Sequence, residues 1–188
     1  MPTPASNDPT NQDAIGGASE RDVRRASLMI RWLVVATLAV ALAFLYLLSA
    51  SAEELVGRVV SVHDGDTLTI LVSRKQFKIR LLDIDAPERK QPFGTRARQS
   101  LADMCAGKEA RIAWQAKDRY GRTLGRVNCL GLDANAEQVR RGMAWVFERY
   151  APKDSFLYAV QTEAQNAKRG LWVDPRPVPP WEWRRNRR

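Results

Sequence analysis

The chain has 188 residues and a formal charge of +9, enough for one domain and an appendage. Residues 1–52 carry four arginines (Arg21, Arg24, Arg25, Arg31) and four acids (Asp8, Asp13, Glu20, Asp22), so the whole excess falls in residues 53–188, as 26 basic against 17 acidic side chains. Such an excess favours a polyanionic partner, nucleic acid or an anionic membrane, and two cysteines are too few for a thiolate metal cage.

Residues 1–27 are rich in Pro, Ser, Asn, Asp and Gly, cannot bury a core, and are expected to be disordered. Within residues 28–52, Trp32 to Leu48 is an apolar run without charge, extended by small residues to Ala52, a 21-residue stretch. A bilayer span needs about 20 such residues. Arginines precede the run and Glu53-Glu54 follow it, which orients the following domain outside the cytoplasm. Ala50-Ser51-Ala52 also has the small-x-small pattern of a signal cleavage site, and Met29 is an alternative start to Met1. The stretch therefore reads either as a transmembrane anchor or as a cleaved signal, and in both cases the domain is exported. Cys105 and Cys129 in an exported domain are expected either to pair as a disulfide or to stay as two small buried thiols.

From residue 53 the pattern is β. Residues 56–62 read as a strand, residues 67–72 as a second and 77–81 as a third, with Phe77, Ile79 and Leu81 on one face and Lys78 and Arg80 on the other. Asp64-Gly65 and Ser73-Arg74-Lys75 are the turns between them. Residues 110–114 and 123–127 complete five strands, expected as a mostly antiparallel meander. Helical spacing covers 95–104, 136–141 and 156–169, the last stopped by Gly170. The fold class is mostly β with helices: a five-stranded oligonucleotide-binding-type barrel with three helices. Residues 53–174 form that domain, and residues 175–188, rich in Pro, Trp and Arg, read as an irregular tail.

Three segments carry the chemistry. Asp66 ends the first hairpin turn and Asp85 follows the third strand, so pairing of those strands brings two carboxylates to one end of the barrel. Hard cations such as Ca²⁺ take about six to eight oxygen ligands, and Ala86, held extended by Pro87, offers its carbonyl as a third. Glu88 lies three residues past Asp85 and offers a carboxylate for proton transfer. Arg80 and Arg122 supply planar forks suited to a phosphate. Taken singly, these residues also read as turn, loop and surface positions; the combination points to phosphodiester hydrolysis. His63 has no partner acid in the pattern and reads as structural. Trp172, Trp181 and Trp183 read either as packing for the tail or as platforms for bases.

Asp-Gly-Asp-Thr at 64–67, Arg-Leu-Leu-x-Ile-Asp-Ala-Pro-Glu at 80–88 and Asp-x-Tyr-Gly-Arg at 118–122, with Ala164-Gln165 through Gly170-Leu171-Trp172, resemble the staphylococcal nuclease family over about residues 55–172. The resemblance implies Ca²⁺ held by Asp66, Asp85 and the Ala86 carbonyl, with Asp64 beside the metal. It implies phosphate binding by Arg80 and Arg122, Glu88 as general base, and Tyr120 and Tyr150 at the nucleotide pocket. Ala86 stands where the founding type has a threonine, and Glu148 where a nucleotide-contacting tyrosine is familiar. Asp83 is an extra acid, expected at the surface. The implied reaction is in-line attack of water on phosphorus, with DNA and RNA as substrates and 3′-phosphate products, in an exported enzyme without an obligate protein partner. Family barrels that only bind nucleic acid give the alternative, a non-catalytic module tethered to the membrane. Retention of Asp66, Arg80, Asp85, Glu88 and Arg122 together disfavours it.

Overall fold

The computed structural model describes residues 31–40 and 54–187. The chain divides at Ala50/Ser51 into two units. Of the first, residues 31–40 are helical with exposed side chains. The expected disordered leader, the remainder of the apolar run, the Ala50-Ser51-Ala52 site and the alternative start at Met29 lie outside the described residues. Among the described residues no helix is long and apolar enough to cross a membrane.

The second unit is α+β. Strands β1 (Glu54–Val62), β2 (Thr67–Val72) and β3 (Lys75–Leu81) form an antiparallel meander, followed by the short β4 (Ile84–Asp85) and helix α1 (Gly94–Cys105). Then come β5 (Glu109–Lys117), β6 (Thr123–Cys129), β7 (Leu132–Asp133), α2 (Ala134–Arg140), β8 (Trp145–Val146), α3 (Leu157–Asn166), a 3-10 turn (Gly170–Val173) and α4 (Pro180–Arg185).

The five long strands lie where the alternation of apolar residues predicts them, but they do not continue as a meander. β5 returns antiparallel to β1, with Leu55 opposite Ile112, and β6 closes the ring by pairing parallel to β3, with Arg80 opposite Leu124. Local alternation says which face of a strand is buried and nothing about which strand lies beside it. The barrel is filled by Leu68, Ile70, Ile79, Leu81, Ile112 and Val127, and Leu101 of α1, Val139 of α2 and Leu157 of α3 are buried in the same core.

Cys105 and Cys129 form a disulfide, which ties the end of α1 to the end of β6. The tail is not irregular. Pro180 opens α4 with a residue whose missing N–H costs a helix nothing at that position. Glu182 in the first turn and Arg184 and Arg185 in the last match the helix dipole.

Candidate active site

The site is built where β2 begins and β3 ends. The Asp64-Gly65 turn is held by the Asp64 side chain, whose Oδ1 accepts from the Asp66 amide at 3.1 Å. Gly65 is required there because a Cβ would lie 2.6 Å from the Ala97 methyl of α1 and 2.7 Å from that of Ala86. Buried Gln138 of α2 donates from Nε2 to the carbonyls of Gly65 and Ala97, so one side chain fixes the turn to both helices. The register of β2 and β3 sets Thr67 opposite Arg80, and the Leu81 amide donates to the Asp66 carbonyl at 2.8 Å. Asp66 and Arg80 therefore meet at the same end of the barrel.

Asp85 arrives by a reversal. Asp83 has φ of 64°, in the left-handed region that turns the chain back, and its carbonyl accepts from the Phe147 amide at 2.8 Å. β4 then pairs with β8, Asp85 opposite Trp145. Asp83 is half-buried and is not one of the acids facing Arg80, so its surface placement is corrected only in degree: burial raises its pKa, against the nearby Arg126.

Arg80 Nη2 lies 2.9 Å from Asp85 Oδ1 and 3.2 Å from Asp66 Oδ2. Its Nη1 donates to the carbonyls of Leu81 and Ile84 at 2.9 and 2.8 Å. The expected phosphate ligand is thus also the clamp that holds both carboxylates and the turn between them. Asp66 and Asp85 are 5% and 2% exposed. Burial pushes Asp66 up to about 6, against the pull of Arg80 and with the push of the Asp64 charge. Burial likewise raises Asp85, against the guanidinium groups of Arg184 and Arg80. The Ala86 amide donates to Asp66 Oδ2 at 2.7 Å, so the backbone at Ala86 borders the pair.

Two desolvated carboxylates facing one nitrogen are a donor set suited to a hard cation, which takes its remaining oxygens from carbonyls and waters. Among the described residues no group of three or more His, Cys, Asp and Glu gathers to hold a metal, so Asp66, Asp85 and neighbouring backbone oxygens are the donors available.

Glu88 sits on the loop after Pro87. Its amide donates to Gln91 Oε1 at 3.1 Å, and its carbonyl accepts from the Gln91 amide at 2.8 Å. Gly94 must lack a side chain because a Cβ would run into the Glu88 carbonyl. Arg122 is not in contact with the carboxylates. It precedes β6, beside the end of β3, and its Nε donates to Asp118 Oδ2 at 2.7 Å. Against the cost of burial, that bond and the Arg122 and Tyr120 amides hold Asp118 below its ordinary pKa. Tyr120 and Tyr150 are 69% and 65% exposed; Arg119 and Arg122 stand 4.9 and 5.6 Å from the Tyr120 ring centroid.

His63 Nε2 lies 2.8 Å from Thr69 Oγ1, a bond from just past β1 to β2 that is consistent with its structural reading. Trp172 packs edge-on against Trp145 and Trp181 stacks on Phe147, so these two follow the packing alternative; Trp183 instead carries Arg187 over its ring at 4.9 Å.

Arg184 of α4 was not foreseen. Its Nη2 donates to Asp85 Oδ2 at 2.7 Å, and its Nη1 to Glu88 Oε1 at 2.8 Å. Against its own desolvation, these bonds raise its pKa above the ordinary arginine value. Gln91 was missed too: it links the Glu88 loop to the tail by donating from Nε2 to the Val178 carbonyl at 2.6 Å. The acidic-first, basic-last order of the tail signals a helix; nothing in the sequence signals where it docks.

Residues 78–174 match the staphylococcal nuclease homologue family. The chain belongs to the staphylococcal nuclease family. It is 48% identical over 129 residues to an uncharacterized endonuclease of Escherichia coli O157:H7, covering 68% of this chain and 84% of that one. To a micrococcal nuclease of Shigella flexneri it is 42% identical over 158 residues, 78% and 91% of the two chains. To Protein ParB of Escherichia coli it is 40% identical over 173 residues, 86% and 94%. It is therefore a nuclease, a hydrolase of phosphodiester bonds. The family match begins inside β3; Asp66 of this nuclease, which lies before it, reaches the site through the β2–β3 pairing.

Proposed function

We propose that this nuclease is an exported, Ca²⁺-dependent enzyme that hydrolyses DNA and RNA by in-line attack of water, leaving 3′-phosphates. The observation that carries this reading is the convergence of buried Asp66 and Asp85 on Arg80, with Glu88 one short turn away. Asp66, Asp85 and the Ala86 carbonyl would hold the cation, with Asp64 orienting the turn behind Asp66. When bound, the cation supplies polarisation of the phosphate and neutralisation of charge developing on its oxygens.

The chain's own residues do the rest. Glu88 accepts or orients the proton of the attacking water, a role worth ~10²–10⁴ in rate. Arg122, through its outward fork, and Arg80 add positive charge where the oxygens become more negative. Tyr120 and Tyr150 present exposed rings to the nucleotide.

Export rests on the leader's charge order and on the Cys105–Cys129 disulfide, a linkage of oxidising compartments. The protein is then either anchored facing the periplasm or exterior, or released after cleavage. Cell fractionation with N-terminal sequencing tests the location; a full-length chain soluble in the cytoplasm refutes it. Digestion of DNA and RNA with and without a Ca²⁺ chelator tests the chemistry. Activity should vanish in chelator and return on adding Ca²⁺, and undiminished activity in chelator removes the metal assignment.

A further inference from the structure

The geometry points to Arg184 as a tethered cation that occupies Asp85, one of the two acids of the metal site, together with neighbouring Glu88, and competes with the divalent ion for Asp85. This rests on the metal reading above and adds a regulator from the same chain. Arg184 spans Asp85 and Glu88 with its two terminal nitrogens, at 2.7 and 2.8 Å, and its Nη1 also lies 3.3 Å from Asp85 Oδ1. Since Arg80 Nη2 faces Oδ1 as well, both oxygens of Asp85 are covered by guanidinium groups.

The helix that carries Arg184 is held by contacts that do not involve the acids. Gln91, itself buried, donates to the Val178 carbonyl, Pro180 is buried, and the Trp181 ring stacks on Phe147 at 5.3 Å and 13°. The guanidinium is thereby kept at high effective concentration over the site. A buried carboxylate that is under-compensated is costly, and Arg184 adds to Arg80 in compensating Asp85 when no divalent ion is bound. A divalent ion bound through Asp85 would have to displace Arg184 from Oδ2, the oxygen that Arg80 leaves uncovered, so the two compete for Asp85. The Arg184 side chain is 41% exposed, which leaves it an outward path.

The test is calorimetric titration of Ca²⁺ into the full chain, without nucleic acid, for the wild type, Arg184→Gln and Trp181→Ala. Removing the competitor should tighten Ca²⁺ binding by about tenfold in Arg184→Gln, a usual size for coupling between two binding events. Trp181→Ala loosens the helix but keeps the charge, and should tighten binding by less; it preserves the test if Arg184→Gln folds poorly. In thermal melts, Arg184→Gln should have the lower Tm without Ca²⁺ and the larger rise on adding it. Wild-type binding with equal or weaker affinity in the variants overturns the competition while leaving the metal site standing. Failure of the wild type and both variants to bind Ca²⁺ overturns the metal reading and this inference together.

Discussion

Reduction of the Cys105–Cys129 disulfide should cost this nuclease a large part of its stability. The bond closes a loop with a sequence separation of 24. In the chain-entropy treatment, a cross-link of that span removes denatured-state freedom worth about 3.5 kcal/mol at 25 °C. Both sulfurs belong to buried residues, 0% and 2% exposed, so reduction opens no cavity but makes two thiols move apart within a packed site. The unfolded-chain contribution is therefore joined by a repacking cost in the folded state. Urea unfolding of the full chain, followed by tryptophan fluorescence with and without reductant, measures the difference. Thermal melts should shift down by roughly 10 °C. The effect reaches the site because Cys105 ends α1, whose Ala97 supports the Gly65 turn. Equal unfolding free energies in the two conditions, or two free thiols by mass spectrometry of unreduced protein, would refute the reasoning.

Glu88→Gln should lower turnover by ~10²–10⁴ while nucleic-acid binding, read by fluorescence anisotropy, stays near the wild type; near-normal turnover removes Glu88 as proton acceptor. Arg122→Lys keeps the charge and loses the fork, and should raise the barrier by about 3 kcal/mol, with single-turnover kinetics as the readout. Gly94→Ala forces a methyl against the Glu88 carbonyl, so it should displace the Glu88 loop and reduce kcat with little change in Ca²⁺ affinity by calorimetry. An unchanged kcat would mean the loop adapts without moving the carboxylate.

Much of the site is legible in the sequence because its parts are local. Asp64 to Thr67 and Arg80 to Glu88 are short segments whose turn chemistry and strand parity fix which side chains emerge together. Asp66 and Asp85 accordingly come to the same end of the barrel, both beside Arg80. The barrel itself is as expected, but the placing of β5 beside β1 and of β6 parallel to β3 is different, since it depends on pairing between residues far apart in sequence, and a meander satisfies the same alternation. Arg184 is the extreme case. Its helix follows a proline-rich stretch, and its docking depends on Gln91 and Phe147, whose neighbourhood only the folded barrel creates. Gln138 is similar: a glutamine between Glu137 and Val139 gives no hint in the sequence that it joins the Gly65 turn to α1. Arg80 was legible as a site residue but not as the clamp of both acids, because that requires the left-handed turn at Asp83.

The parallel seam between β3 and β6 also bears on how this protein behaves in a crowd. An open sheet ends in a row of unpaired amides and carbonyls onto which another chain's strand can add. Val56, Val60 and Leu71 stand 37–46% exposed on the outer face of β1 and β2, and beside such an edge they would invite stacking. Closing the ring gives β2, β3, β1, β5 and β6 a neighbour on each side and leaves the two-residue β7 as the end of the sheet. The exposed aliphatic side chains thus stand on strands that each have neighbours, and the β3–β6 seam removes an edge that fibrous self-association would use.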